Sequence, residues 1–311
     1  MAATQTPERV MAVEAARRYF LHDESKQDIA RAIGVSRFKV ARLIDQARAD
    51  GLVKITIAWP GERDPIRSRR LSDRLGVDVR VAATVTSQSG EGPLGAVCAD
   101  AVREALPEGG TIGISWGRAV RSFVGAADNL PAADVVQLIG GLGIDASETS
   151  GDSLARSLAQ RLNSRAYVMQ APLAVQSAAV AAALRVEPNL QQTLSQSAAV
   201  DVAVVGIGAW PTDVLSTFMT DDERRELQSA GAVADICGRS MNGRGELLQT
   251  TFDDRIIAID ADRLRSYPRV IAIAKGPAKI SAIEAACASG IIDVLVTDAA
   301  TADELETYAV A

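Results

Sequence analysis

Arg37, Phe38, Lys39 and Arg42 set three cations and an aromatic ring within six consecutive positions. Such cations meet phosphate oxygens or base acceptors, and an aromatic edge meets a thymine methyl or a sugar ring. Ser36 just before them and Gln46 just after them add hydrogen-bonding groups to the same segment. A second chemistry gathers much further along the chain. Ser115, Gly117 and Arg118 lie in Ile112-Gly113-Ile114-Ser115-Trp116-Gly117-Arg118, and Gln137, Gly140 and Gly141 in Gln137-Leu138-Ile139-Gly140-Gly141. Gly206 and Gly208 flank Ile207, and Lys279 closes Gly276-Pro277-Ala278-Lys279. Where a strand turns into a helix, backbone N–H groups cradle an anion and glycine permits close approach. A lysine near a helix start opposes the macrodipole, so Lys279 invites an anionic ligand such as phosphate. Singly, each segment is an ordinary tight turn; together they describe a small-molecule site.

The first set of residues requires a helix pair to present it. Ser25 is placed to N-cap one helix, with Asp28 as the capping-box acid and Ile29, Ala30 and Ile33 at helical spacing. Gly34 supplies the left-handed residue that ends it. Val35 is the expected buried turn residue, and Ser36 caps the next helix. At about 100° per residue, Val40, Leu43, Ile44 and Ala47 form the packed face of that helix. Phe38 and Arg42 point away from it, flanked by Lys39 and Gln46, with Arg37 in the first turn. This is the layout of a DNA-reading helix-turn-helix. Thr6-Pro7 starts a preceding helix whose Val10, Val13, Ala16 and Phe20 are expected to support the pair. Gly51 stops the recognition helix, and residues 52–57 alternate as a strand, either a wing arm or an exit from the domain.

Charge is divided in the same place. Residues 1–75 hold 15 Lys and Arg against 10 Asp and Glu, whereas residues 76–311 hold 18 against 29. The first part is therefore +5 and the second −11, which points to a nucleic-acid partner for the first. Arg63, Arg67, Arg69, Arg70 and Arg74 extend the basic run, as a solvated helix or a phosphate contact. The 311 residues suffice for one to three domains. No apolar run is long enough to span a bilayer and the N-terminus has no signal-peptide pattern. Cys98, Cys237 and Cys287 are too few and too scattered for a disulfide framework or a metal knuckle. They read as small core residues in a reducing cytoplasm.

The remaining chain alternates apolar strands with Ala-rich helices. Residues 59–65 carry two prolines and a glycine and read as a hinge, and 66–75 as a helix that links or joins the large domain. Strands are predicted at 77–85, 111–115, 135–139, 165–169, 200–207, 256–260, 270–274 and 294–297. Helices are predicted at 92–105, 117–127, 153–162, 174–184, 221–230 and 277–288. Continuous apolar strands such as 202–205 require burial on both faces, hence a mostly parallel sheet between helix layers. Ligands in such sheets sit outside the carboxyl ends of the strands. The expected division is 1–58 for the (winged) helix-turn-helix, 59–75 for a linker and helix, and 76–311 for the ligand-binding α/β domain, to which the resemblance given below adds effector response and oligomerisation.

Catalysis finds little support. The single histidine is His22, in the first domain, so the large domain offers no Ser/His/Asp or Cys/His arrangement. No residue cluster has metal-ligand spacing, and no cofactor or metal is expected. Asp145, Asp152, Asp235 and Asp260 are open to acid–base work, to hydrogen bonding sugar hydroxyls, or to capping helices.

Nearly the whole chain resembles the SorC/DeoR family of bacterial sugar-binding transcriptional regulators. The resemblance is carried by 28–30, 34–37 and 40–43, then by 47–53, 113–118, 136–141, 205–208 and 231–239, and finally by Lys279, Ala282-Ile283 and Thr297-Asp298. It implies an α/β effector domain with the NagB/RpiA/CoA-transferase-like fold, homodimers or homotetramers on operator DNA, and a sugar, polyol or sugar-phosphate effector. It further implies that Ser115, Gly117 and Arg118 line the pocket, with backbone contacts from Gly140 and Gly141. Lys279 would pair with the anion, and Asp235 and Arg239 would lie near the sugar. Many members carry threonine where this chain has Ala119, and 238–243 departs from the usual aromatic-rich continuation. Two rivals accompany the effector-controlled regulator. One is a sugar-phosphate isomerase or deaminase fused to a DNA-binding module, the other a constitutive DNA-binding protein with an oligomerising large domain.

Overall fold

The computed structural model describes residues 7–53, 63–83, 93–143, 149–211 and 214–308. The chain divides into two compact units, Met1–Ile57 and Ala58–Ala311. In the first, α1 (Pro7–Leu21), α2 (Lys26–Ile33) and α3 (Arg37–Ala49) enclose a small core. Ser25 Oγ accepts from the Asp28 N–H at 3.2 Å, and Ser36 Oγ accepts from that of Lys39 at 3.2 Å. Gly34 ends α2 at φ 70°, a backbone conformation that favours glycine. Val40, Leu43, Ile44 and Ala47 are all buried, as their spacing requires. Helix α1 differs from expectation. Val10 and Val13 are exposed, and the packed face is Ala12, Ala15 and Ala16 with Met11, Tyr19 and Phe20 alongside. Alanines at that face let α1 lie close to α3, which the larger valines would prevent. Leu52 and Val53 pack on this core without forming a strand. The expected strand at 54–57, Thr6, and most of the 59–65 hinge lie outside the described residues.

The second unit opens with β1 (Arg63–Asp64) and α4 (Pro65–Leu75). Asp64 caps α4 by accepting from Ile66 and Arg67 N–H groups, both at 3.1 Å. Strand β1 pairs antiparallel with β2 (Asp78–Ala82), so this segment is built into the unit. There follow α5 (Leu94–Ala105), β3 (Thr111–Ile114), α6 (Arg118–Gly125), β4 (Asp134–Gln137), α7 (Gly151–Arg161) and β5 (Ala166–Tyr167). Next come α8 (Ala178–Arg185), α9 (Pro188–Gln196), β6 (Val202–Gly206), β7 (Gly208–Ala209), α10 (Asp221–Ser229), β8 (Ala232–Ile236) and β9 (Arg239–Asn242). The unit closes with α11 (Ala261–Ser266), β10 (Arg269–Ile273), α12 (Ile280–Ala288), β11 (Val294–Asp298) and α13 (Ala299–Tyr308).

Eight strands form the main sheet in the order β1-β2-β11-β10-β6-β3-β4-β5, parallel throughout except at β1. Residues 202–205 of β6 are fully buried and divide between two apolar layers, Ala203 and Val205 facing one and Val202 and Val204 the other. The chain steps outward from β3 through β4 to β5, and in the opposite direction from β6 through β10 to β11. The β3–β6 border is therefore the point where strand order reverses, the place where such sheets form a ligand crevice.

Several predicted elements change. Residues 256–260 are no strand: they cross the end of β4, with Gly140 N–H donating to Ile257 O at 2.8 Å and Ile259 N–H to Leu138 O at 3.0 Å. Burial alone made them apolar, and an apolar run does not distinguish a ladder from a crossing segment. The helix predicted at 277–288 begins with a 3-10 turn, Pro277–Lys279, before α12. The 174–184 helix starts only at α8, because residues 171–175 are extended against Gly141 and Arg255–Ile257. The three-stranded antiparallel sheet β7-β8-β9 was not anticipated. Its β8–β9 turn places Cys237 at φ 49° and Gly238 at φ 75°, the two successive positive angles of a primed hairpin turn.

Candidate functional site

On the first unit, α3 presents the expected residues to solvent. Phe38 is 84% exposed, and Arg37 and Arg42 are exposed beside it without an ion pair among the described residues. Lys39 reaches Glu8 of α1 at 3.6 Å, and Gln46 donates to Asp50 Oδ1 at 2.7 Å. An exposed ring among cations has no packing explanation, and the apolar face of α3 is fully occupied on the other side. The surface matches what a recognition helix needs: cations for phosphate or guanine and an apolar edge for thymine.

On the second unit, three segments meet where β3 and β6 end. Ser115 is buried, and its hydroxyl accepts from the Gly206 N–H at 2.9 Å, bridging the two strands across the reversal point. A Cβ on Gly206 would come within 3.3 Å of Trp116 O, so the glycine permits this close crossing. Lys279, carried by the turn before α12, donates to the carbonyl of Ile207, between Gly206 and Gly208. Gly117 precedes α6 at φ 120°, and Arg118 opens that helix exposed and without an ion pair among the described residues. A lysine, an arginine and a helix start thus gather around a glycine-edged strand end, an arrangement suited to an anion.

Other predicted site residues have structural duties. Gln137 is wholly buried, its amide donating to Ile139 O at 2.6 Å and accepting from Met169 N–H at 2.9 Å. Gly140 and Gly141 direct their N–H groups to Ile257 and Ala171, so their backbone donors serve the frame. A Cβ at Gly140 would lie 2.5 Å from Pro172 O. Arg239 donates to Ile259 O at 3.0 and 3.1 Å and to Asp253 at 2.9 Å, tying β9 to the crossing segment. Asp235 is buried and accepts from Gly238 N–H at 3.1 Å, inside the hairpin turn. Asp260 caps α11, accepting from Arg263 N–H at 2.7 Å. Asp145 lies outside the described residues. The three cysteines are free and buried, and desolvation raises all three thiols, that of Cys287 to about 12.

A cavity of about 500 Å³ opens at the ends of β4 and β5 against the start of α7. Its walls include Gly141, Ser150, Asp152, Arg156 and Met169. Apart from Gly141, these positions were absent from the predicted site. Asp152 alone carried a signal, as one of the aspartates open to acid–base work, sugar hydroxyls or helix capping.

A family model described as "Putative sugar-binding domain" matches residues 66–305. The chain is 28% identical to the sorbitol operon regulator of Klebsiella pneumoniae over 314 residues, 94% of this chain and 96% of that protein. It is 29% identical to the erythritol catabolism regulatory protein EryD of Brucella abortus over 304 residues, 95% of this chain and 96% of that one. The crystal structure of the full-length Klebsiella regulator SorC matches with a TM-score of 0.69 at 28% identity, covering 96% of this chain and 99% of that one. No helix among the described residues is long and apolar enough to cross a membrane. With a sugar-binding model covering most of its length and regulators matching it nearly end to end, the chain belongs to the SorC/DeoR family of sugar-binding transcriptional regulators.

Proposed function

We propose that this protein binds operator DNA through α3, and that a sugar, polyol or sugar phosphate held at the β3–β6 strand ends controls that binding. Arg37, Phe38 and Arg42 are the DNA contacts, with Ser36, Lys39 and Gln46 at their margin. The observation that carries the effector site is the convergence of Lys279, Ser115 and Gly206 at the reversal point. Gly117 and Arg118 at the start of α6 complete the anion-binding side, with Gly208 next to the Lys279 contact. Gln137, Gly140, Gly141, Asp235 and Arg239 hold the walls of this crevice in register. The protein acts as a homodimer or homotetramer, the arrangement in which helix-turn-helix modules read two half-sites at fixed spacing. It works as a binding protein in the cytoplasm, and the naming of its relatives as regulators supports binding over turnover.

Arg118→Ala and Lys279→Ala proteins are expected to lose sugar-phosphate binding in thermal-shift titrations while keeping DNA binding. Sugar-phosphate affinity equal to the parent's in both variants would overturn the assignment of this crevice. A turnover assay over the same sugar phosphates tests the enzyme alternative; any isomerised or deaminated product would establish it.

A further inference from the structure

The cavity at the start of α7 has a composition unlike that of the β3–β6 crevice. Ser150 is buried, and its hydroxyl donates to Asp152 Oδ1 at 2.6 Å, which orients the carboxylate. Arg156 lies one helical turn further along the same cavity wall. At this i,i+4 spacing an Asp–Arg pair ordinarily meets on a helix surface. Here neither side chain has an ion-pair partner among the described residues, so each faces the cavity with bonding capacity left over. Opposite them, Val168, Met169, Ala171 and Pro172 supply an apolar wall.

These features select a ligand chemistry. Among the described residues that line it, one carboxylate and one guanidinium balance each other, and Asp152 repels phosphate. An oriented carboxylate accepts hydrogen bonds from adjacent hydroxyls, and a guanidinium donates to hydroxyl oxygens. The apolar wall suits the C–H side of a carbohydrate chain, and the volume is that of a small-molecule pocket. The cavity also adjoins the anion-binding side. Gly117 N–H donates at 3.1 Å to Thr149 O, the residue before Ser150.

Building on the effector reading above, we infer that Asp152 and Arg156 form a separate hydroxyl-recognising subsite. It selects the neutral polyhydroxyl end of an effector whose anionic end is held by Lys279 and Arg118. Asp152 sets the specificity, Ser150 positions it, and Arg156 is the complementary donor.

The full-length protein and its variants would be titrated calorimetrically with erythritol 4-phosphate, glucitol 6-phosphate and inorganic phosphate. For whichever polyol phosphate binds the parent, Asp152→Ala is expected to weaken binding about 30-fold and Arg156→Ala about 10-fold, as for lost hydrogen bonds to charged groups. Inorganic phosphate should bind both variants as it binds the parent, whereas Lys279→Ala should weaken all three ligands. Arg156 is exposed, so its variant carries the test should Asp152→Ala fail to fold. Polyol-phosphate affinities within twofold of the parent in the folded variants would overturn the subsite while leaving the Lys279 crevice standing. Failure of the parent to bind any of the three would overturn the effector reading and the subsite together.

Discussion

The two units carry their functional groups in opposite ways. On α3 the residues proposed to meet DNA project outward: Phe38 is 84% exposed, and Arg37 and Arg42 are exposed without an ion pair among the described residues. At the strand ends of the large unit the polar groups are mostly buried and bonded to the frame, as Gln137, Asp235 and Arg239 show. A duplex is met by a convex surface that stays ready in solvent, whereas a small ligand needs a concave shell that keeps its shape before the ligand arrives. The charge difference runs the same way, +3 in residues 1–57 and −9 in residues 58–311. Substitutions should therefore separate cleanly: frame residues act through stability, surface residues through affinity.

The largest expected effect is on the frame. Arg255 donates to Glu223 twice at 2.6 Å and also to Val175 O and Phe218 O, joining four segments of the large unit. Arg255→Ala leaves the buried Glu223 carboxylate without its cation, held only by the Thr220 N–H and hydroxyl, and should cost about 3–5 kcal/mol in denaturant titration. The Arg255 hydrogen bonds hold the Glu223 carboxyl at about 2, below its usual 4.5. That contribution is fully present above pH 4.5 and is lost as pH falls toward 2, so acid should loosen the large unit by this route. A parent stability unchanged between pH 5 and 3 would contradict this. Next, Gly140→Ala drives a Cβ to within 2.5 Å of Pro172 O, and should cost about 1–3 kcal/mol of stability through overpacking.

The smaller effects belong to the surface. Arg42→Ala should leave the melting temperature alone and weaken operator binding by about 1–3 kcal/mol if the guanidinium reads a base. A uniform loss across sequences would identify a phosphate contact instead, and an unchanged affinity would remove Arg42 from the interface. Phe38→Ala should change stability by less than about 0.5 kcal/mol, as expected for an exposed site, while lowering affinity most at thymine-containing operators. A large loss of stability in the Phe38 variant would show that the ring packs, and would erase the contrast between the units.

Legibility in the sequence follows the same contrast. The α2–α3 pair was readable to its caps, because Ser25, Gly34 and Ser36 act locally and Val40, Leu43, Ile44 and Ala47 repeat with the helix. The parallel sheet was readable because two-sided burial forces runs such as 202–205. The primed turn at Cys237-Gly238 escaped notice because cysteine is an uncommon residue at positive φ, and 256–260 was misread because burial fixed its composition without its pairing. Of the residues proposed for the effector site, Ser115, Gly206 and Lys279 are legible as motifs. Ser150 and Arg156 are not, since their meaning depends on a cavity assembled from three separate segments. Val10 and Val13 misled for the converse reason: a helical repeat shows a possible packed face, and the alanine face beside it allowed the closer approach.

The claim that joins the two units is that occupancy of the large one controls DNA binding by the other. Its most direct test is operator affinity measured by fluorescence anisotropy, on a duplex selected from random DNA by the full-length protein. The measurement would be made with and without a saturating sugar or polyol phosphate that binds the parent. The expected result is at least a fivefold change in the parent, the lower end of typical allosteric coupling, and no change in Lys279→Ala protein that still binds the duplex. An affinity unmoved by saturating ligand in the parent would contradict the account.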